Sequence, residues 1–568
     1  MLSAVLRWLP RGGQTGIAGE ARIASLLLWA LVAVLLLGLG LPLLFIFAKA
    51  VQDGDGGFVG LVNFAQVLQS PGLMRASSNS LQLGLTVTAL VLPLAFAFAW
   101  ALLRSRLWGR GLWRQIGLSP LLAPSLMPAI SLVYLFGNQG LLKDWLHGGN
   151  IYGFWGVVLG ELFYTFPHAL LIIMTALSAA DARLYEAGRV LGAGPLRQFL
   201  TITLPGVRYG LVSAGLVVFT LVLTDFGVPK VVGGDFNVLA VEAFKQVIGQ
   251  QNFPRGAVVG LLLLLPAILS CLVERRMARR QQAALTARAQ PFAPAPSWLR
   301  DACALLLLLA ISLLLLALLG VGVAASFIKY WPYNLDFTLA HYQFDTVDGG
   351  GWSAYVNSLQ LATATAVLGS LLVFVGACVC EKLPGMALGR GLLRFLAMLP
   401  MAVPGLVLGL GYVFFFNHPA NPLHGWYGSL GLMVLCCIAH FYTTAHLTAA
   451  TALKQLDGEF EAVAASLKVP FWVTWWRVSL PVCLPALVDV ARFLFVSAMT
   501  TLSALIFIMT PEHSLAAVSI ITMDDAGDTA AAAAMATLVV LSSAGLSLLL
   551  SLLERLLGRR NQRWRKPG

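Results

Sequence analysis

Apolar runs of about 20 residues recur along the whole 568-residue chain, and they constrain its fold more than any other feature. A run of that length, coiled as a helix, crosses the ~30 Å hydrocarbon core of a bilayer. Only 11% of the residues are charged and 58% are hydrophobic, whereas soluble domains are about 25% charged. The composition excludes an ordinary soluble enzyme and predicts an all-α polytopic membrane protein.

Twelve such segments can be placed along the sequence, six in each half. The first run, 21–50, is too long for the core of a signal peptide, so we interpret it as a retained span. The predicted spans are 23–48, 79–103, 117–137, 155–178, 207–224 and 256–273, followed by 302–327, 356–380, 393–416, 428–452, 485–508 and 530–553.

The basic residues are distributed unevenly between the two sides of the membrane. With the N-terminus in the cytoplasm, 30 of the 37 Lys and Arg residues fall inside, as the positive-inside rule requires. The seven outside are Lys49, Arg75, Lys143, Lys230, Lys245, Arg255 and Lys329. We therefore predict a bacterial inner-membrane protein with both termini cytoplasmic. The formal charge of +12 is then a topology signal and a lipid contact, and it implies no nucleic-acid partner.

The two halves of the sequence repeat each other. Asp181–Pro205 recurs 276 residues later as Asp457–Pro481, Pro124 and Pro128 pair with Pro400 and Pro404 at the same spacing, and Asn79-Ser80-Leu81-Gln82 recurs 278 residues later as Asn357-Ser358-Leu359-Gln360. Because each copy holds six spans, the copies have the same orientation and form a parallel duplication. We predict a first repeat over 1–273, a cytoplasmic linker over 274–300 and a second repeat over 301–568.

The repeated 25-residue segment follows the fourth span of each half, on the positive side. Asp181 is placed to cap a short helix, and the Gly192-Ala193-Gly194-Pro195 stretch should end it. A second amphipathic helix should then run to just before Pro205. In the second copy the break falls at Lys468-Val469-Pro470. Each segment is thus predicted to be a helix-turn-helix protruding into the cytoplasm.

These segments resemble the cytoplasmic signature E-A-A-x3-G-x9-I-x-L-P of the membrane subunits of binding-protein-dependent ABC importers. The second copy departs from it: Ala462 stands where the glutamate belongs, Glu461 precedes it, and Lys468 replaces the glycine, while Leu480 and Pro481 are kept. The first copy matches with Glu186, Ala187, Gly188, Gly192, Ile202, Leu204 and Pro205, Gly188 replacing the second alanine.

The resemblance covers both halves and implies a type I importer permease fold of 6+6 helices. It implies that 181–205 and 457–481, named below the first and second coupling loop, each dock in the cleft of one of two cytoplasmic ATPase subunits, and that an external binding protein delivers the substrate. No G-x-x-x-x-G-K-[ST] phosphate loop occurs in the chain. ATP and Mg should therefore bind to the partner subunits, while this chain is a non-enzymatic transport subunit without a cofactor.

The substrate class follows from a more local resemblance. Thr224–Lys230, Lys245–Phe253, Phe460–Phe471 and Met523–Asp528 are most similar to fused permeases for 2-aminoethylphosphonate; ferric iron and thiamine permeases are the alternatives. Such a zwitterion needs both bases and acids along its path, and Lys230, Lys245 and Arg255 are the three outer bases expected to guide its anionic group. The alternative is that outer-loop charges dock the binding protein or stay solvated. The candidate substrate-path residues are Asp225, Lys230, Lys245, Thr501, Asp524, Asp525 and Asp528.

Ferric iron would favour clustered carboxylate or phenolate oxygens, and no compact Glu-x-x-Glu pair stands in a span. Glu161, His168, His440 and His446 lie in or near spans, where interhelical hydrogen bonds are the favoured interpretation over a pore lining. The seven cysteines form no CxxC pair, so we expect no metal site and interpret them as small packing residues.

Two other classes of protein remain as alternatives. A secondary transporter of two parallel halves would carry ionisable residues deep in its spans, and the predicted span centres here are nearly free of charge. An integral membrane enzyme would carry paired carboxylates, HExxH or a nucleophile elbow, and none of these occurs.

Overall fold

The structure, a computed structural model, describes residues 15–284, 292, 294–383 and 385–561. Within these ranges ten helices are each long and apolar enough to cross a bilayer, and two bent helix pairs reach that length only together. The spans are Gly19–Ala50, Pro71–Arg104, Arg110–Leu122 with Leu126–Phe136, Phe154–Ser178, Pro195–Thr224 and Phe253–Val273, then Trp298–Ala325, Gly351–Lys382, Ala387–Ala402 with Gly405–Phe416, Leu430–Lys454, Phe471–Thr500 and Thr529–Glu554. The predicted all-α polytopic fold is confirmed.

Shorter elements connect the spans. They include the helices Val62–Gln69, Ala182–Val190, Gly227–Val232, Leu239–Phe244, Glu459–Ser466 and Ala516–Asp525, and the antiparallel strands Ile328–Tyr330 and Asn334–Phe337.

The segments 117–137 and 393–416 were each predicted as one uninterrupted span. The third and ninth spans are instead broken into two helices. Their two parts meet at 95° and 115°. The breaks coincide with Pro124 and Pro404, because a proline disfavours helical backbone in the residue before it and donates no N–H.

The predicted pairing of prolines in these spans is also wrong. Pro120 and Pro400 both lie in the 3-10 turn that precedes the break, and Pro124 and Pro404 both lie at the break itself. The local register of the repeat is therefore 280 rather than 276. It returns to 276 at the fourth span because the loop 417–429 is four residues shorter than the loop 137–153.

The two halves interlock through their first spans. In each half the second, fourth and fifth spans pack on one another, but the first span packs on the ninth and the seventh on the third. Tyr412 Oη donates a 2.8 Å hydrogen bond to the Gly38 carbonyl, and a Cβ at Gly322 would lie 2.7 Å from Ser131 Oγ. Each first span thus belongs to the packing of the opposite half.

The connection between the halves is more helical than the predicted linker over 274–300. The sixth helix continues to Ala284, and the seventh begins at Trp298. Residues 285–291 and 293 of that linker, like the chain ends 1–14 and 562–568, lie outside the described residues.

The repeated Asn-Ser pair closes the non-helical backbone that follows the fifth span of each half. Asn79 Nδ2 donates to the Asn237 carbonyl at 2.9 Å, and Ser80 Oγ accepts from Leu239 N at 2.8 Å. Asn357 and Ser358 make the same two contacts to the Ser514 carbonyl and to Ala516 N. Buried backbone groups in a membrane protein need partners within the protein, and this motif supplies them.

Replacing Ser80 by alanine should lower the thermal unfolding midpoint of the purified protein, because the Leu239 N–H would be left buried without an acceptor. The expected loss is about 1–3 kcal/mol. Ser77→Ala is the matched control, since Ser77 Oγ bonds only its own helix at Leu73 O. Equal shifts for the two variants would contradict the assigned role of Ser80.

Candidate functional site

The first coupling loop has the predicted helix-turn-helix form at its start. Asp181 caps the helix Ala182–Val190, its carboxylate accepting from Arg183 N at 3.1 Å. Gly192 then adopts φ +73°, a left-handed conformation that suits glycine, and the next helix begins at Pro195. The predicted cap and the predicted break are both confirmed.

The second coupling loop repeats this geometry with a less suitable residue at the turn. The helix Glu459–Ser466 follows Asp457, whose carboxylate accepts from Glu459 N at 3.1 Å. Lys468, at the repeat position of Gly192, also adopts a positive φ, +53°. A side chain in the left-handed region costs about 1–2 kcal/mol, so this loop stores strain that the first lacks.

The predicted end of the second helix before Pro205 is wrong. The helix runs unbroken from Pro195 to Thr224, and its counterpart runs from Phe471 to Thr500. Each passes through a π-helical turn just before the proline, at Phe199–Thr203 and Trp475–Ser479. The proline follows this turn within the first turn of a new α segment, where its missing N–H and fixed φ are tolerated. Ile202, Leu204 and Pro205, like Leu480 and Pro481, therefore lie on a continuous helix.

Two contacts hold the first coupling loop together and anchor it to the bundle. Gly188 is buried, and a Cβ there would lie 3.1 Å from Ile202 Cδ1, so glycine permits the close packing of the two helices. Tyr185 is also buried; its hydroxyl lies 3.0 Å from Thr203 Oγ1 and accepts from Arg104 Nη2 at 3.2 Å. Arg104 is the last residue of the second span, so the loop is tied to that span.

The second coupling loop has an ionic version of the same anchor. Lys382, the last residue of the eighth span, lies 2.8 Å from Glu461 Oε1. Lys382 repeats Arg104 at the spacing of 278, and Glu461 repeats Tyr185 at the spacing of 276. The early glutamate is thus an inward anchor, whereas Ala462 occupies the exposed position that Glu186 has in the first loop.

Each coupling loop exposes apolar side chains beside its polar ones. Glu186 and Ala187 are exposed, and Val190 and Leu191 next to the turn are 88% and 82% exposed. In the second loop Phe460, Leu467, Trp472 and Trp476 are exposed at the repeat positions of Leu184, Leu191, Leu196 and Leu200. Exposed apolar groups in such a cluster are typical of a protein-binding surface.

A different cluster lies at the opposite end of the bundle, between the halves. Lys230, in the short helix after the fifth span, pairs with Asp525 of the second half at 3.0 Å. Burial, together with the neighbouring Asp525 carboxylate, raises the pKa of the Asp524 carboxyl. Trp331, between the two strands, donates to the Tyr134 carbonyl at 2.9 Å across the same interface. Three of the candidate residues, Lys230, Asp524 and Asp525, are thus brought together.

The remaining outer candidates do not join this cluster. Lys245 is exposed and donates to Asn237 Oδ1 at 3.2 Å. Arg255, the third base expected to guide an anion, donates to Gln66 Oε1 at 3.2 Å. The candidate Asp528 is exposed where the last span begins, and Thr501 is half-buried after the eleventh span.

Asp225 lies in a buried acidic pair that the sequence reading missed. It faces Glu161 of the fourth span, and the two carboxyl groups interact electrostatically. Their separation of 64 residues in sequence gave no signal of this contact. Among the described residues no N–H or hydroxyl donor reaches either carboxyl oxygen of Glu161, and its contact with another element is with the Asp225 carboxyl group.

The described residues show no interhelical hydrogen bond from His168, His440 or His446. His168 Nδ1 lies 3.3 Å from the Tyr164 carbonyl of its own helix. The Nδ1 atoms of His440 and His446 are buried without a hydrogen-bond partner in the described ranges. Within those ranges no three His, Cys, Asp or Glu side chains are grouped as a metal site.

Exchanging residues at the two turns should change loop stability in opposite directions. Gly192→Ala should destabilise the first coupling loop by about 1 kcal/mol through backbone strain alone, since no atom lies within 4 Å of the added Cβ. Lys468→Gly should stabilise the second loop by less, because glycine loses more entropy on folding. Amide hydrogen exchange of the loops measures both effects, and shifts of the same sign would contradict this account.

Comparison with known proteins finds relatives among transport permeases. A 26% identical relative, the ferric transport system permease FbpB of Actinobacillus pleuropneumoniae, matches 74% of this chain, which spans only 62% of its length. The Fe(3+)-transport system permease FbpB 2 of Haemophilus influenzae is 22% identical, with 91% and 96% covered. A spermidine/putrescine permease PotC homolog of Mycoplasma pneumoniae is 31% identical over 34% of the chain and 66% of its own length.

These relatives do not support the predicted 2-aminoethylphosphonate specificity; two of them bear the name of the ferric alternative. The model of one protein family matches residues 92–283 and 383–563, once in each half and over more than half of the chain. Both matches include a coupling loop and the spans on either side of it. The chain belongs to the family of binding-protein-dependent transport system inner membrane components.

Proposed function

We propose that this chain is the membrane-spanning permease of an ATP-driven importer of ferric iron, placed in a bacterial inner membrane with both termini in the cytoplasm. The observation that carries the proposal is the match to a Haemophilus Fe(3+)-transport permease over nearly the full length of both chains. As a member of a family of transport permeases, the chain is a transport subunit and not an enzyme. Its motor and its binding protein are separate partners.

Ferric iron fits the charged groups better than 2-aminoethylphosphonate does. The three bases expected to guide a phosphonate each have a neighbour: Lys230 pairs with Asp525, while Lys245 and Arg255 donate to side-chain amides. The buried pair of Glu161 and Asp225, in contrast, offers oxygen ligands with no basic side chain in an ion pair with them among the described residues. A hard trivalent cation prefers such oxygens.

The continuous helices give each coupling loop a direct connection to the far side of the bundle. Pro195–Thr224 is one helix of 30 residues, about 45 Å long at 1.5 Å per residue. Its first turns belong to the coupling loop, and Asp225 follows its last residue. A rotation of the loop in an ATPase cleft would therefore move the Asp225 end of the same rigid element.

The Lys230–Asp525 pair supplies a closed gate at that far side. It joins the two halves in the conformation described here, and it must separate when the halves move apart there. We infer an alternating-access cycle in which closure of two ATPase subunits draws the coupling loops together and opens this gate. An external binding protein then releases the cargo into the opened cleft.

A secondary transporter is the alternative from another class, and the buried Glu161 and Asp225 carboxyls reopen it in part. Uptake into proteoliposomes separates the two classes. The importer requires ATP and the binding protein, whereas the alternative needs only an ion gradient across the membrane.

Glu186→Gln should uncouple ATP hydrolysis from ferric iron uptake, because Glu186 is exposed on the first coupling loop and contributes to docking. We expect uptake per ATP hydrolysed to fall by roughly 5- to 150-fold, the usual span of a coupling free energy. The assay is ATP-driven uptake of ferric iron by the complex in proteoliposomes. Glu512→Gln is the control, since Glu512 is an exposed acid outside both coupling loops. Unchanged coupling in Glu186→Gln would contradict the proposal.

Reversing one charge of the gate should make it open more readily. Lys230→Glu or Asp525→Lys should raise ATP hydrolysis without binding protein by up to about fivefold, as expected for a partly exposed ion pair worth up to about 1 kcal/mol. The double reversal should restore the wild-type rate. Lys245→Glu makes the same charge change outside any pair between the halves and serves as the control. A double variant no closer to wild type than the singles would argue against the gate.

A further inference from the structure

Glu161 of the fourth span is a buried acid that lacks a hydrogen-bond donor among the described residues. Its side chain is 0% exposed, and among the described residues no N–H or hydroxyl donor lies against either carboxyl oxygen, whose side-chain interaction is with the Asp225 carboxyl group. It lies seven residues along the fourth span from Phe154, about 10 Å from the helix end. Burying a polar group without a hydrogen-bond donor costs free energy of folding. We therefore expect a ligand to bind at the Glu161 carboxyl group and offset this cost.

Three more oxygen-bearing side chains surround this carboxyl group. Asp225 is 8% exposed, accepts from Val228 N at 2.9 Å through Oδ2, and faces Glu161. Tyr164, one turn beyond Glu161 on the same helix, interacts with both acids. Ser125, buried at the bend of the third span, completes the cluster beside Asp225.

Glycines in the surrounding backbone make this cluster possible. A Cβ at Gly160 would lie 2.5 Å from Val228 Cγ1, and one at Gly227 would lie 2.3 Å from Ser125 Oγ. With any larger residue, the helix after Asp225 could not approach the fourth span and the bend this closely. The convergence of the four side chains is therefore built into the backbone packing.

The cluster holds two acidic side chains that the described residues pair with no cation. Within the described ranges neither Glu161 nor Asp225 takes part in an ion pair with Lys, Arg or His. Two facing carboxylates in apolar surroundings need a bound cation or a shared proton. Two carboxylates, a phenol and a hydroxyl form a hard oxygen set, which selects a hard and highly charged metal ion.

We propose that Glu161, Asp225 and Tyr164 form the transit site at which the permease holds ferric iron on its way across the membrane. This inference rests on the proposed function, and it assigns the imported ferric ion a binding site within the permease. Asp225 lies at the end of the helix that begins in the coupling loop, and Ser125 lies at the bend, so movement of either element changes the ligand set. A site that is assembled in one conformation and opened in another both captures and releases its ion.

The second half cannot provide an equivalent site. At the repeat positions of Glu161, Tyr164 and Asp225 stand Cys437, His440 and Thr501, and Gly405 replaces Ser125 in the local register. These residues supply no carboxylate and no phenol. The proposal therefore requires one ferric ion per permease rather than two.

The test uses the complete transporter in lipid nanodiscs, titrated with ferric citrate. We expect one bound iron per permease and a visible phenolate-to-iron charge-transfer band. Tyr164→Phe should abolish the band and weaken binding, and Glu161→Gln should weaken binding at least about tenfold. Glu512→Gln and Tyr209→Phe are the matched controls outside the cluster and should retain both signals. Without metal, Glu161→Gln should melt no earlier than wild type, because it removes a buried charge, and this identifies a folded variant.

Several outcomes would overturn the inference. A wild-type complex that binds no iron would do so, as would an unchanged band and stoichiometry in both Tyr164→Phe and Glu161→Gln. The same preparations are assayed for ATP-driven ferric uptake. Uptake that is intact in wild type and unaffected by Glu161→Gln overturns the transit site while leaving the ferric importer in place; a wild-type complex without ferric uptake overturns the proposed function itself.

Discussion

A bilayer offers no water to unpaired backbone groups, and the rest of this structure depends on how the chain meets that constraint. Among the described residues ten spans meet it as continuous helices, but the third and ninth are sharply bent and non-helical backbone follows the fifth and eleventh. Non-helical backbone at membrane depth is tolerated only within protein. The Asn79-Ser80 and Asn357-Ser358 pairs supply partners at these places, and the candidate chemistry of Asp225 and Ser125 occurs beside the same breaks.

The duplicated architecture keeps its framework symmetric while its functional groups differ. Both coupling loops have a capped helix, a left-handed turn and a π-helical turn leading into a long span. Their anchors differ chemically, Arg104 with Tyr185 in one and Lys382 with Glu461 in the other. The two loops thus keep the same position on the bundle while presenting different surfaces, with Glu186 exposed in one and Ala462 in the other.

The sequence predicted those features that depend on local patterns. Span length, the cap at Asp181 and the turn at Gly192 follow from apolar runs and from short-range backbone preferences. The sequence did not predict that Glu161 and Asp225 face each other, because that contact depends on how the fourth and fifth spans pack. It also misplaced the end of the helix at Pro205, since a π-helical turn accommodates a proline that short-range rules treat as a stop. The aminoethylphosphonate assignment rested on a local resemblance, and the three bases expected to guide a phosphonate turn out to have partners, Lys230 in an ion pair and Lys245 and Arg255 at side-chain amides.

The Lys230–Asp525 pair has no twin: the repeat position of Lys230 is Ile506, and that of Asp525, at the spacing of 277 that relates Leu239 to Ala516, is Ile248. A permease made of two identical subunits would carry such a pair twice or not at all, because any base placed on one copy appears on both. Joining the copies in a single polypeptide removes that restriction. Each half of the gene can then acquire a charge whose opposite charge lies only in the other half. An ion pair that occurs once between the halves can therefore be selected.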